Sequence, residues 1–253
     1  MERCDVCGED LFFPKVEILG RTMAMRRKCR CVRESEERES KRRQEEETTR
    51  AVANARAYCF REYADYRGCT FDSDDMNDPK MHNKLVNYAA NFGRFMEEGS
   101  GLLFFGNVGA GKTFYSACIA NALLDEGRKV MMSNLVSLVH RIQKESFSGL
   151  DVMREIERCD LLIIDDLGVE RDSSYMREHV YGIIDARYRS GKPMIVSTNL
   201  TGDELKAPTS VSDERIYGRI LERCLPMRFD GPNRRKGRAR YRDMLEVMNG
   251  EQK

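Results

Sequence analysis

No stretch of the 253-residue chain approaches the roughly 18 consecutive apolar residues that a membrane-crossing helix needs, which argues against a helical membrane protein. The start, Met1-Glu2-Arg3-Cys4-Asp5, carries no signal-peptide core, so the expectation is a cytoplasmic protein with no membrane partner. A surplus of either charge is missing as well. With 43 Lys and Arg against 42 Asp and Glu, whole-molecule charge makes no case for nucleic acid, and any such case must come from local patches. Nine cysteines in a reducing compartment argue against a disulfide framework, so their paired spacings are read first as metal ligands. The length suits one substantial α/β core plus a small appendage.

The most specific motif is Gly106-Asn107-Val108-Gly109-Ala110-Gly111-Lys112-Thr113, which satisfies G-x-x-x-x-G-K-[ST]. It follows the apolar run Leu102-Leu103-Phe104-Phe105, read as a buried strand, and precedes a stretch free of Gly and Pro with helical spacing of its apolar residues. Between a strand and a helix, glycines let backbone N–H groups converge on a polyphosphate at the positive end of the helix. Lys112 is expected to reach the outer phosphates of ATP and the Thr113 hydroxyl to ligate Mg²⁺.

A second apolar strand, Leu161-Leu162-Ile163-Ile164, ends in Asp165-Asp166. In nucleotide-binding α/β sheets the carboxyl ends of strands face the ligand, which gives Asp165 to the hydrated Mg²⁺ and Asp166 to the attacking water. Between these motifs the spacing predicts a strand at 130–132 and helices at 135–144, capped by Asn134, and at 151–158. Beyond them it predicts a helix at 174–190, stopped by Gly191 and Pro193, and a strand, Met194-Ile195-Val196-Ser197-Thr198, closed by Asn199. Asn199 is placed to reach the γ-phosphate or the lytic water. The alternation of strand and helix is the rhythm of a parallel sheet.

At the other end, Cys4-Asp5-Val6-Cys7-Gly8 is a C-x-x-C knuckle, and Cys29-Arg30-Cys31 supplies a second pair after a segment long enough for a hairpin. Four thiolates suffice for a closed tetrahedral Zn²⁺ site, and so short a segment needs a metal for lack of a core. Residues 1–32 are therefore expected to form a zinc module and residues 33–65 a charged helix and linker, supported weakly by pairs such as Glu34 with Arg38 and Glu39 with Arg43. An ATPase domain would follow over 66–253. Residues 80–97 read as one amphipathic helix, with Leu85, Tyr88, Ala89, Phe92 and Phe95 along its apolar stripe. A late helix presents Arg215 and Arg219 one turn apart, and a basic tail begins at Arg234-Arg235-Lys236.

Taken together, the phosphate loop, the Asp165-Asp166 strand, the Ser197-Thr198-Asn199 strand end and the late arginine pair resemble the AAA+ ATPases. Tyr66-Arg67-Gly68-Cys69-Thr70-Phe71, Gly101-Leu102-Leu103-Phe104-Phe105-Gly106 and Leu161-Leu162-Ile163-Ile164-Asp165-Asp166-Leu167-Gly168 narrow the resemblance to helicase loaders of the DnaC and DnaI type, a group that includes the transposition ATPase IstB. The resemblance implies a three-layer P-loop fold with a reduced carboxyl-terminal lid. It also implies Walker A at 106–113, Walker B at Asp165 and Asp166, sensor 1 at Asn199, and an arginine finger at Arg219 in preference to Arg215. Many AAA+ proteins carry Glu where this chain has Asp166, and the shorter arm suits slow hydrolysis. Single-stranded DNA contacts would fall on Arg141, Lys144 and Phe147, with Ser174 and Tyr175 as a second group. The implied partners are a replicative DNA helicase, gripped by the amino-terminal module, single-stranded DNA, and further copies of the chain assembled through ATP. Two other functions fit the same residues: a transposition helper acting on duplex DNA, and an adaptor that binds ATP without hydrolysing it.

Overall fold

The structure is a computed structural model describing residues 2–13, 16–18, 21–23, 25–144, 149–168, 174–208, 210–234 and 248, with backbone only at 16–18, 21–23, 149–150 and 174. It divides into two compact units, Met1–Ala53 and Asn54–Lys253.

In the first unit the segment between the cysteine pairs forms a hairpin of β1 (Val16–Ile18) and β2 (Arg21–Met23), paired antiparallel with Val16 opposite Met23. Antiparallel bridges from Arg3 to Asp10 and from Phe12 to Arg26 tie the flanking segments together. The 30-residue helix α1 (Arg30–Cys59) starts here. It is polar all round over most of its length, as a helix must be when it has no core to face. The pair expected from Glu39 to Arg43 forms at 2.6 Å, whereas Arg38 donates from Nε to the backbone carbonyl of Glu34 instead of pairing with its carboxylate.

The second unit begins with the last turns of α1. Cys59 and Phe60 enter the core there, and Arg56 reaches Asn121 Oδ1 at 2.9 Å. Short 3-10 turns at Ala64–Tyr66 and Phe71–Ser73 follow. The expected single helix over 80–97 is two, α2 (Pro79–Ala90) and α3 (Phe92–Glu98), interrupted at Asn91, whose φ of −111° and ψ of 22° leave the helical region. The apolar stripe survives the break, because Leu85, Tyr88 and Phe92 are all buried.

The remaining elements alternate: β3 (Gly101–Gly106), α4 (Lys112–Asp125), β4 (Val130–Asn134), α5 (Leu135–Lys144), α6 (Gly149–Arg158), β5 (Leu161–Leu167), α7 (Ser174–Arg189), β6 (Met194–Thr198), α8 (Gly202–Lys206), α9 (Val211–Arg223) and β7 (Cys224–Phe229). The strands form one parallel sheet in the order β4-β5-β6-β3-β7. Successive side chains alternate between faces. Leu102, Phe104, Leu161, Ile163 and Ile195 join one buried cluster with α2 and α4, while Leu103, Leu162, Ile164 and Val196 join another with α5, α6, α7 and α9. The result is a three-layer α/β arrangement, a parallel sheet between two layers of helices. Inserting β6 between β3 and β5 sets the end of β6 beside both acidic and phosphate-loop motifs.

One buried cation stitches the layers at the opposite end of the strands. Arg187 of α7 is fully buried and donates to the carbonyls of Ile156 at 2.9 Å, Cys159 at 2.8 Å and Asp160 at 2.9 Å, and also to that of Pro193. It closes the carbonyl end of α6 and the entrances to β5 and β6 with one planar fork.

Candidate nucleotide site and cysteine cluster

The turn from β3 into α4 needs glycine for steric reasons. Gly106 has φ of +117°, and a Cβ there would stand 2.5 Å from the Phe229 carbonyl oxygen; Gly111, at φ +106°, caps α4 from the left-handed region. Lys112 is buried, and its Nζ donates to the carbonyls of Gly106 and Asn107 and to Asn199 Oδ1, each at 2.8 Å. The Thr113 hydroxyl lies 3.2 and 3.1 Å from the two carboxylate oxygens of Asp165. Ser197 also donates to that carboxylate. A hydroxyl facing a buried carboxylate is a donor set suited to Mg²⁺, for which Thr113 and Asp165 would be the protein ligands.

Asp166 differs from Asp165 in its backbone. Its φ is +56°, the β5–β6 register shifts between Ile164 and Leu167, and its N–H donates to the Ser197 hydroxyl at 3.0 Å. Asp tolerates this left-handed conformation better than most residues, and irregularities of this kind re-aim side chains next to active sites. Asp165 is accordingly buried, while Asp166 is exposed and lines the cavity.

That cavity, of about 270 Å³, is lined by Val108, Gly109 and Gly111 of the phosphate loop and by Lys112, Thr113, Asp166 and Asn199. Tyr66, Asp74, Asp75, Phe114 and Arg234 also line it. Sequence patterns did not single out Asp74, Asp75 or Phe114 for the site, and Arg234 figured only as the start of a basic tail. The loop after β7 brings Arg234 there: its N–H donates to the Gly109 carbonyl at 3.0 Å, and Asn107 N–H donates to Phe229 O at 2.9 Å.

Other expected residues lie elsewhere. Arg219 donates to Tyr181 Oη at 2.8 Å, pairs with Asp185 at 2.9 Å and lies 4.6 Å from the Tyr181 ring centroid, so α9 is fastened to α7 through it. Arg215, one turn earlier, is exposed. Arg141 is occupied by Glu155 at 2.8 Å, whereas Lys144 is exposed at the end of α5. Tyr175 is half exposed, and its hydroxyl accepts from Gln143 at 2.9 Å, which brings α5 and the start of α7 together. Ser174 opens α7; its side chain, Phe147 and the basic tail beyond Arg234 fall outside the described residues.

In the first unit the sulfurs of Cys4, Cys7, Cys29 and Cys31 lie within 4.8 Å of one another, with Cys4 and Cys31 at 3.5 Å and Cys29 and Cys31 at 3.2 Å. A tetrahedral ion with Zn–S bonds of about 2.3 Å would set its sulfurs about 3.8 Å apart, so the set fits Zn²⁺. Backbone amides of Cys31 and Glu9 draw the Cys7 thiol down to about 6, while hydrogen bonds to Cys29, Cys4 and Cys7 push Cys31 up to about 12. Crowded thiols compete for protons, and a divalent cation relieves that competition.

Comparison with known proteins gives this geometry a lineage. The profile of the family described as IstB-like ATP binding protein matches residues 21–228. The replicative helicase loader DnaI of Bacillus subtilis is 28% identical over 186 residues, covering 68% of this chain and 60% of that protein. The replicative helicase loader DnaC of Escherichia coli is 26% identical over 160 residues, covering 61% and 64%. The matched stretch thus spans less than two thirds of either relative. A crystal structure of DnaI superposes with a TM-score of 0.55 at 26% identity, covering 67% of this chain and 92% of that one. With a profile match over most of its length and the phosphate loop, Asp166 and Asn199 lining one cavity, the chain belongs to the IstB-like ATP binding protein family.

Proposed function

We propose that the chain is an ATP-dependent loader of a replicative DNA helicase. It would bind ATP with Mg²⁺, grip single-stranded DNA, and hydrolyse ATP to ADP and phosphate as it releases the helicase. The observation that carries the reading is the meeting of Lys112, Thr113, Asp166 and Asn199 at one cavity, with Asp165 against the Thr113 hydroxyl, in a chain whose relatives are named helicase loaders. Mg²⁺ would supply charge neutralisation at the phosphates. Lys112, now tied to loop carbonyls and Asn199, would turn to the γ-phosphate, and Asn199 would orient the water. Asp166 would accept the proton of that water as the bond from the γ-phosphorus to the bridging oxygen breaks.

The cysteine module, holding Zn²⁺ through Cys4, Cys7, Cys29 and Cys31, would serve as the helicase grip. Arg219 would act in trans on a neighbouring copy's site, and Lys144, Phe147, Ser174 and Tyr175 would lie along the DNA. Arg141 contributes less than its charge promises, because Glu155 holds it. The test is a native-mass and pull-down experiment with the host replicative helicase in ATP and in ADP, run beside an ATPase assay with and without single-stranded DNA. Nucleotide-dependent capture of the helicase and DNA-stimulated turnover are expected. A chain that ignores the helicase and coats duplex DNA in ATP would instead be a transposition helper, and one that binds ATP without turnover would be an adaptor.

A further inference from the structure

Two segments distant in sequence meet at the cavity, around a residue that belongs to no motif. The side chain of Asp74, just before α2, is fully buried. Its Oδ2 accepts from Tyr115 Oη at 2.6 Å and lies 2.8 Å from His82 Nδ1, while its Oδ1 pairs with Arg234 Nη1 at 3.3 Å. Burial pushes this carboxyl up, but the hydrogen bonds of Tyr115 and His82 and the charge of Arg234 outweigh it and hold it below the ordinary carboxylate range.

Arg234 is thereby fixed from one side. Asp75 takes the same Nη1 at 3.0 Å, whereas Nε is buried and has no acceptor among the described residues. Arg234 also lines the cavity, where a guanidinium is suited to meet phosphate. The group also abuts the phosphate loop, its Nη1 standing 3.6 Å from where a Cβ on Gly111 would be.

We propose that Asp74 is a positioning residue of the nucleotide site, holding Arg234 preorganised against the phosphate loop to receive the diphosphate that ADP and ATP share. The inference rests on the nucleotide reading above. Because both nucleotides use the contact, its loss weakens the ground-state binding of each.

The test is a titration of the full chain with fluorescent ADP and with a non-hydrolysable ATP analogue, in Mg²⁺, alongside thermal melts. Asp74→Asn and Arg234→Gln are each expected to weaken both ligands by about tenfold. The double variant should be no more than about twofold worse than the weaker single, since each acts through the other. A role confined to packing would lower the melting temperature and leave both affinities alone, which would overturn the inference. Tighter binding in Asp74→Asn would overturn it too, by showing that the carboxylate competes for Arg234. Should Asp74→Asn fail to fold, Arg234→Gln decides alone. A wild type that binds neither ligand, matching Lys112→Ala, would sink the nucleotide site and this inference with it, whereas wild-type binding that only Lys112→Ala abolishes would sink this inference alone.

Discussion

At the scale of single residues, the buried cation and the two adjacent aspartates do opposite kinds of work. Arg187 satisfies the carbonyls of Ile156, Cys159, Asp160 and Pro193 at once, and burial depresses its pKa. Arg187→Met would take the guanidinium donor from all four in a dry interior. The expected loss is about 2–4 kcal/mol of stability, read as a shifted denaturant midpoint, with nucleotide affinity preserved below the transition. Lysine, a point donor on a flexible stem, would recover only part of it. Asp166 has the converse signature. Its strained backbone and exposed carboxylate argue for function over stability, so Asp166→Ala should bind ATP as well as wild type while turnover falls by a factor of about 10² or more in a single-turnover assay. Undiminished turnover would remove it from the chemistry. Asp166 could be read from the sequence because its setting, an apolar run ending in two carboxylates, recurs wherever phosphate loops do. Arg187 could not, since nothing local separates a buried arginine in a helix from a solvated one.

At the scale of elements, legibility followed burial. The strands β3, β5 and β6 are covered on both faces, and parallel strands so covered read as continuous apolar runs. The strand β7 escaped notice because Cys224-Leu225-Pro226-Met227-Arg228-Phe229 mixes a proline and an arginine into an edge position, where such residues are tolerated. Missing β7 hid the loop that follows it, and with that loop the arrival of Arg234 at the nucleotide cavity. The α7–α9 contact carries a prediction of its own. Arg219 is both the proposed trans-acting arginine and the rivet between these helices, so Arg219→Ala should lower the melting temperature of the monomer, by an amount worth about 1 kcal/mol, and also abolish ATP-dependent assembly. Asp185→Asn loosens the same rivet and keeps the guanidinium. Calorimetry should therefore register both variants, and light scattering in ATP only the first. Loss of assembly in both would mean that the helix contact, not the arginine, carries the interface.

At the scale of the whole molecule, the two units differ in what stabilises them. Among the described residues, the buried clusters of the second unit draw none from before Cys59. The described part of the first unit consists of a three-residue-per-strand hairpin, isolated bridges, four close sulfurs and a helix that faces water. Helices so polar stand on weak local pairs, and a segment without a core draws its folding free energy from its ion. Removing Zn²⁺ with a strong chelator should therefore unfold the cysteine module alone. Amide exchange is expected to become fast over residues 2–13 and 25–29 while the second unit keeps its melting transition and its affinity for ADP. Helicase capture should fail under the same treatment and return when Zn²⁺ is restored. Cys7→Ser should behave like the chelated protein at every readout, because three thiolates leave the tetrahedron open. If chelation also destroyed nucleotide binding, the metal would belong to the ATPase itself, and the division between a gripping module and an ATP-driven body would be wrong.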